Sequence, residues 1–262
     1  MELREVIGRR RSIRFLLPHR PVELSKIQRM LEAARIASHW GNVGSLRALV
    51  IERDKAPQDV LDALPSPVSG YQIRLAPVII VWYIETNAAD HAGERIRELV
   101  KLDVVGYGKD KLKTVEETLV PLFSQIGDAL KLPGMGELDC GQGIAQATLM
   151  AFEQGLGTCC LGSANPDGIR EKLGLPDSCR VLVTQTVGYP AESWEAGGQR
   201  PRQPFENLFQ LNGYDTPFPR DEKVVDELRE EGMIQDAAPV SWREAELEYL
   251  KKALDLTGDG LL

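Results

Sequence analysis

The longest uninterrupted apolar run in this chain spans residues 77–84, and its length restricts what the chain can form. A run this short suits a strand buried on both faces, whereas a helix that spans a membrane needs about 20 apolar residues. The sequence therefore predicts a buried strand at this position and no membrane partner.

Segments on either side of this run carry helix and strand signals. Residues 24–37 place Ile27, Leu31 and Ala34 at helical spacing, and Asn165 before Pro166 is typical of a helix start. The helix predicted at 138–154 is rich in glycine and alanine, which permits close backbone approach in a dimer interface or in a crowded core within one chain. Further helices are predicted at 2–8, 57–64, most of 88–155, 221–231 and 242–254, and further strands at 48–52, 158–161 and 181–187.

Charge and composition argue against several classes of protein. The 262 residues include 39 acidic and 31 basic side chains, and this net charge of −8 disfavours binding along a nucleic-acid backbone. The N-terminus has no signal-peptide character, so we expect a cytoplasmic protein. The four cysteines have no CxxC spacing and only three histidines accompany them, so we expect buried, reduced thiols and no metal site.

Two arginine-rich segments stand out against the acidic composition, at residues 9–14 and 199–204. If the first segment is extended, Arg10, Ser12 and Arg14 project to the same side of the backbone. Guanidinium groups arranged in this way suit the oxygens of a phosphate. Because the chain is acidic elsewhere, a local anion site is favoured over a nucleic-acid patch or a solvated basic run.

Common nucleotide-binding motifs do not account for such an anion site. A GxGxxG motif would need a third glycine at Cys160, after Gly155 and Gly157, and a helix rather than a strand is predicted before it. The sequence has no Walker lysine motif and no nucleophile elbow. Since side chains alone offer little catalytic machinery, a bound cofactor is favoured.

Four segments in a fixed order resemble the FMN-dependent nitroreductase-like superfamily, over about residues 5–210. The resemblance implies an α+β fold in which a mixed sheet is surrounded by helices, and an intertwined homodimer with FMN at the subunit interface. Residues 1–219 would form the FMN-binding domain, and residues 220–262 an acidic, helical C-terminal extension with a frayed end at 257–260. The segments are Arg10-Arg11-Ser12-Ile13-Arg14; residues 31–37 with Gly41-Asn42; residues 139–141, 155–162, 169–176 and 187–190; and residues 200–204.

The resemblance also implies which residues hold the flavin. Arg202 and Arg200 would bind the flavin phosphate, which carries a charge of about −1.5 to −2. The backbone amides of Leu161 and Gly162 would face the flavin ring, the alternative being an ordinary strand end, and Asn42 would meet the ring or brace its loop. The full set of predicted cofactor residues is Arg10, Arg11, Ser12, Arg14, His39, Asn42, Leu161, Gly162, Arg200 and Arg202.

The loop at residues 38–46 departs from the family pattern. Residues 38–40 stand where relatives often have Pro-Ser, and residues 44–46 stand where a Gln-Pro-Trp segment often follows. Because this loop borders the flavin in relatives, its changes bear on the substrate. His39 is a candidate proton or hydrogen-bond donor, since imidazole titrates near neutral pH, and the alternative is a structural bond to a backbone group. Trp40 could stack on a ring or only pack.

The reaction implied by the resemblance is a ping-pong oxidoreduction. NADH or NADPH would pass hydride to flavin N5 and leave, and an electron-poor acceptor such as a nitroaromatic or quinone would replace it. Helices between residues 113 and 130 would form a lid over this acceptor. The predicted substrate-pocket residues are therefore Trp40 and Phe123, with His39 as the candidate catalytic residue.

Two alternative functions stay open at this point. The altered 38–46 loop suggests a specialised flavin enzyme of the superfamily, such as a dehalogenase, an azoline dehydrogenase or a flavin-consuming enzyme. The extension after Pro219 suggests a flavin-binding protein without turnover that docks a partner. The favoured explanation of the extension is an arm around the other subunit.

Overall fold

A four-stranded sheet forms the centre of the computed structural model, which describes residues 1–65 and 69–257. The strands lie in the order β1-β2-β4-β3, and all three pairings are antiparallel. The prediction of a mixed sheet is therefore wrong for these strands. Parallel pairing occurs beside the sheet, because Ser12 of the arginine segment forms an isolated parallel bridge with Thr158. The strands are β1 Leu46–Glu52, β2 Val78–Glu85, β3 Gly157–Leu161 and β4 Cys179–Gly188.

The strand predicted at residues 77–84 is β2, and it lies in the interior of the sheet. Its side chains alternate between two cores because successive residues of a strand point to opposite faces. Ile80 and Trp82 belong to the core formed with the helices α2 (Leu24–Arg35) and α8 (Met135–Glu153). Ile79 and Val81 belong to the core that contains Ile13. Both faces of β2 are thus covered, as the uninterrupted apolar run predicts.

Helices cover the sheet, and each helix predicted from the sequence is present. Asn165 caps its helix as expected, because its side-chain oxygen accepts the backbone N–H of Gly168 at 3.0 Å. No helix within residues 1–65 and 69–257 has the length and apolarity to cross a bilayer. The predicted fraying at 257–260 falls largely on residues 258–260, outside the described residues. The helices are α1 Leu3–Arg9, α2 Leu24–Arg35, α3 Gln58–Ala63, α4 Gly70–Leu75, α5 Ala92–Lys101, α6 Lys111–Thr114, α7 Val120–Lys131, α8 Met135–Glu153, α9 Pro166–Lys172, α10 Phe205–Leu208, α11 Glu222–Glu230 and α12 Arg243–Ala253.

The glycine-rich helix α8 packs closely against α2 and β1 within one chain. A Cβ atom at Gly143 would lie 2.5 Å from Leu46 Cδ2 and 3.1 Å from the carbonyl oxygen of Ala34. Gly141, two residues earlier, is exposed, and a Cβ atom there would have no neighbour within 4 Å. Of the two alternatives for this helix, the crowded core therefore occurs at Gly143. The other alternative, a dimer interface, stays a prediction for the exposed face of α8.

The segment after Pro219 packs on its own chain. Arg4 of α1 forms ion pairs with Glu227 of α11 and with Glu231, the residue that follows this helix. Leu250 of α12 is only 2% exposed, so α12 is anchored by a buried side chain. The division into residues 1–219 and 220–262 stays a prediction, as does an arm around a second subunit.

Replacing Gly143 with alanine is expected to lower the free energy of unfolding by about 1–3 kcal/mol, because the new methyl group overpacks the contact with Leu46 and Ala34. Gly141→Ala is the matched control on the same helix, and it is expected to stabilise the protein by about 0.5–1 kcal/mol. Urea unfolding followed by circular dichroism measures both. A Gly143→Ala variant as stable as the Gly141→Ala variant would contradict the packing described.

Candidate functional site

Residues 10–14 form an extended segment beside the edge strand β3. The N–H of Ile13 donates to the carbonyl of Thr158 at 2.9 Å. Side chains alternate along the segment, since Arg11 and Ile13 are buried whereas Arg10, Ser12 and Arg14 are half-buried. The structure therefore has the same-side arrangement of Arg10, Ser12 and Arg14 that period two predicts.

The second arginine segment lies against the first. Burial lowers the pKa of Arg200, and the positive charges of Arg14, Arg243 and Arg202 lower it further. Burial also lowers the pKa of Arg11, with further lowering by Arg10, Arg200 and Arg202. The Gln199 side chain connects the two regions directly, since its Nε2 donates to the Gly8 carbonyl at 3.5 Å, so the two segments, which are distant in sequence, meet in the fold.

Four of these arginines take part in no ion pair within the described part of the chain. They are Arg10, Arg14, Arg200 and Arg202. Other polar contacts are modest, since Arg14 Nη1 donates to the Ser12 carbonyl at 3.2 Å and Arg200 Nη2 to the Ala196 carbonyl at 2.9 Å. Guanidinium groups that lie near one another and form no ion pair with an acid make a site suited to an anion.

Arg11, which the resemblance assigns to the cofactor, faces the other way. Its side chain is 4% exposed and lies 3.7 Å from Glu195. It donates to Oε1 of Gln235 and to the carbonyl of Gly8, both at 2.5 Å. These bonds tie α1 to the segment after α11, so the structure places Arg11 in a packing contact and apart from Arg10, Ser12 and Arg14.

A buried carboxylate, Glu192, holds the arginine segment in position. Its Oε1 accepts the backbone N–H groups of Arg14 at 2.5 Å and Phe15 at 3.0 Å. Its Oε2 accepts a hydrogen bond from Arg243 Nη2 at 2.6 Å. In the sequence, Glu192 carries no signal beyond its position two residues after Pro190, so only the folded chain reveals it.

The end of β3 differs from expectation in two ways. Gly162 is exposed and a Cβ atom there would meet open space, so nothing within one chain requires glycine after Leu161. Cys160 is also exposed, which corrects the expectation that all four thiols are buried; the other three are buried. Cys160 lies next to the last residue of β3, beyond the Ser12 bridge that covers this strand at Thr158.

Trp40 and Phe123, the predicted substrate-pocket residues, are in direct contact. Their rings are stacked, with centroids 4.5 Å apart and an interplanar angle of 18°. Gly41, the loop residue that follows Trp40, has a φ of +53°. A Cβ atom at Gly41 would lie 2.7 Å from Phe123 Cε1. The 38–46 loop and α7 thus form one aromatic unit.

Asp139 near the start of α8 fixes this loop, because its Oδ2 accepts the backbone N–H of Trp40 at 2.7 Å. His39 is half-buried, and its Nδ1 has no hydrogen-bond partner among the described residues. Asn42 is exposed with a φ of +55°, a region that asparagine tolerates. The structural bond from His39 Nδ1 to a backbone group is therefore not formed, and this nitrogen is a buried polar atom without a partner among the described residues.

The aromatic loop and the arginines lie toward opposite ends of α8. Trp40 is bonded near its start, at Asp139, whereas Phe152 near its end packs edge-on against Trp194 with centroids 5.0 Å apart. Trp194 adjoins Glu195, which faces Arg11. The helix rises about 20 Å between Asp139 and Phe152. The two groups of predicted site residues are therefore separated within one chain.

Gln72 is a further candidate, although the resemblance does not settle its role. It is 4% exposed, and its Oε1 has no hydrogen-bond partner in the described part of the chain. Its neighbour Tyr71 lies against Phe15, with ring centroids 5.5 Å apart, so α4 borders the arginine segment. An unpaired buried acceptor costs about 1–3 kcal/mol, which a ligand donor would recover. Arg74, by contrast, is exposed.

The sequence profile of the nitroreductase family matches residues 7–189. The chain belongs to the nitroreductase family. The resemblance inferred from the arginine and glycine segments is thereby confirmed. The C-terminal helices α11 and α12 lie outside the matched region.

Curated relatives agree with this membership. The chain is 31% identical over 99 residues to an NADPH-dependent oxidoreductase of Staphylococcus haemolyticus, and the match spans 37% of this chain and 39% of that protein. It is 28% identical over 187 residues to an NADH dehydrogenase of Thermus thermophilus, covering 70% of this chain and 84% of that protein. The chain thus spans about two fifths of the first relative and most of the second.

Solved structures of the family share the fold. A nitroreductase from Exiguobacterium sibiricum in complex with FMN has a TM-score of 0.66 at 20% identity, covering 81% of this chain and 98% of that one. A Staphylococcus epidermidis protein described as an NAD(P)H:FMN oxidoreductase has a TM-score of 0.67 at 15% identity, covering 80% and 95%. At these identities the likeness is one of fold.

Arg11→Gln is expected to lower the free energy of unfolding by about 1–3 kcal/mol, because it removes the bonds from the Arg11 guanidinium to Gln235 and Gly8. Arg10→Gln is the matched control, since Arg10 has no ion pair in the described chain, and its change is expected within about 0.5 kcal/mol. Chemical unfolding measures both, and equal losses would contradict the division of roles.

Proposed function

We propose that this protein is an FMN-dependent oxidoreductase that passes hydride from NADH or NADPH to an electron-poor small-molecule acceptor. The observation that carries the proposal is the convergence of Arg10, Arg14, Arg200 and Arg202, without acidic partners among the described residues, beside the edge strand β3. Family membership supplies the chemical class, and the FMN complex of a structural relative supports the choice of cofactor.

The residues at this site fit the chemistry of FMN. A phosphomonoester carries a charge of about −1.5 to −2, and guanidinium groups bind its oxygens in pairs. Arg200 and Arg202 would hold the phosphate, with Arg10, Ser12 and Arg14 along the rest of the cofactor. The backbone amides of Leu161 and Gly162 would orient the ring. When bound, the flavin supplies a two-electron carrier that accepts hydride at N5.

A second copy of the chain would bring the separated groups together. An aromatic cluster lies at the base of a hairpin that is closed by the bridge between Gln210 and Pro217. It consists of Phe205, Phe209 and Phe218. Tyr214 at its tip is 88% exposed, and Phe209 and Phe218 are exposed as well. A projecting apolar hairpin suits a protein interface. The arm of the intertwined homodimer would then be residues 205–218, since the later extension packs on its own chain.

In such a dimer, the aromatic loop of one subunit would border the cofactor held by the arginines of the other. The stacked rings of Trp40 and Phe123 would then form one wall of the acceptor site. His39, with its unpartnered Nδ1, would donate a hydrogen bond or a proton to the acceptor. The side chains of His39, Trp40 and Phe123 favour a second candidate function, a specialised flavin enzyme whose acceptor is not a nitro compound.

The purified protein is expected to show a flavin absorption spectrum that bleaches anaerobically on addition of NADH or NADPH. Bleaching and recovery with a nitroaromatic or quinone would support the leading proposal. Bleaching without recovery by either acceptor would favour the specialised enzyme, and a flavin spectrum that persists would favour a binding protein. A protein without flavin that takes up none from added FMN would refute the proposed function.

Phe123→Ala is expected to lower kcat/KM for the acceptor by about tenfold, because Trp40 loses the ring on which it stacks and the acceptor wall loosens. The rate of flavin reduction by NADH or NADPH is expected to change much less. Leu122→Ala, an exposed neighbour on the same helix, is the matched control. Stopped-flow measurement of the two half-reactions separates these effects, and unchanged acceptor kinetics in Phe123→Ala would remove Phe123 from the site.

A further inference from the structure

We propose that Arg243 of the C-terminal helix α12 is a positioning residue for the phosphate site. It neutralises the buried carboxylate of Glu192 and so leaves Arg200 free to bind the phosphate of the cofactor. The inference rests on the proposed function, and it assigns a role to the extension that lies outside the family match.

Hydrogen bonds join Arg243 to the loop that follows Pro190. Arg243 Nη2 donates to Glu192 Oε2 at 2.6 Å, and Arg243 Nη1 donates to Glu246 Oε2 at 2.5 Å. Glu246 Oε1 in turn accepts the backbone N–H of Ser193, the residue after Glu192, at 2.6 Å. The contacts form a closed ring between α12 and the 192–193 loop, which fixes the position of the Arg243 guanidinium.

The same carboxylate reaches the predicted cofactor segment. Glu192 Oε1 accepts the N–H groups of Arg14 and Phe15, and the Arg243 guanidinium lies 5.9 Å from the centre of the Phe15 ring. The Glu192 side chain is fully buried, and that of Arg243 is 16% exposed. Although burial opposes its charged form, the bonds to Glu192 and Glu246 raise the pKa of Arg243.

Charge balance around Glu192 explains why Arg243 matters for the anion. Arg200 lies within electrostatic range of Glu192, which raises its pKa, and of Arg14 and Arg243, which lower it. Arg14 and Arg200 therefore both belong to this cluster of charges. A buried carboxylate that loses its partner is strongly destabilised, because its charge is left uncompensated. Without Arg243, the Glu192 carboxylate would attract the Arg200 guanidinium and repel a phosphate dianion. With Arg243, the Glu192 charge is compensated by a residue outside the anion site.

The test compares the binding of FMN and riboflavin, which differ by the phosphate, to the full-length apoprotein. Arg243→Met is expected to raise the Kd for FMN by about tenfold, the effect of losing one charge-assisted contact, and to leave the Kd for riboflavin unchanged. Adding Glu192→Gln to this variant is expected to restore FMN binding to within about threefold of wild type, because the two changes are coupled. Arg243→Lys is expected to retain part of the affinity. Flavin fluorescence quenching gives the dissociation constants, and thermal unfolding of each apoprotein reports its stability.

Arg229→Met is the matched control, because Arg229 also lies in the extension and pairs with Asp226 three residues earlier, on the surface. It is expected to bind both flavins like the wild type. If Arg243→Met does not fold, Glu192→Gln alone carries the test, and it is expected to bind FMN at least as tightly as the wild type with riboflavin unchanged.

Several outcomes would overturn the inference. An equal loss of FMN and riboflavin binding, or no recovery in the double variant, would show that Arg243 acts only through the stability of the fold. Wild-type affinity for FMN in Arg243→Met would overturn the inference and leave the proposed function intact. A wild-type protein that binds no FMN would overturn both.

Discussion

The anion site depends on hydrogen bonds that hold residues 10–14 extended from two sides. Ile13 is bonded to Thr158 of β3, and the N–H groups of Arg14 and Phe15 are bonded to the buried carboxylate of Glu192. An extended backbone must alternate its side chains. The inward positions are therefore buried, while Arg10, Ser12 and Arg14 remain on the accessible side. A helical turn at the same residues would spread the guanidinium groups around an axis and leave no common anion site.

Arginine serves three different purposes within this small region, and the environment of each side chain decides which. Arg11 is buried and bonded to Gln235 and the Gly8 carbonyl, so its interactions stabilise the packing of the chain ends. Arg243 pairs with a buried carboxylate and compensates its charge. Arg14 and Arg200 form no ion pair with an acid among the described residues, so their remaining N–H groups can donate to an incoming anion.

The length of α8 is one reason why we propose a catalytic unit larger than one chain. The helix separates the aromatic loop at Trp40 from the arginine region, and nothing in the described residues closes that gap within one chain. The exposed aromatic hairpin around Phe209 and Tyr214 offers the apolar surface that an interface between copies needs. Substrate selection in the proposed enzyme would then depend on the loop of one subunit and cofactor affinity on the arginines of its partner.

Local patterns in the sequence were sufficient for the strands, the alternation at residues 10–14, the family and all the helices except α4 and α10, because each is set by neighbouring residues or by motifs of fixed spacing. The apolar run at 77–84 had to be buried on both faces, and β2 is. Features that need partners distant in sequence could not be predicted in this way. The antiparallel pairing of the strands, the exposure of Cys160, the packing role of Arg11 and the pair between Glu192 and Arg243 were decided by the tertiary structure. The physical reason is that the charge, burial and hydrogen bonding of a side chain depend on the residues that folding brings against it, and no local pattern specifies those residues.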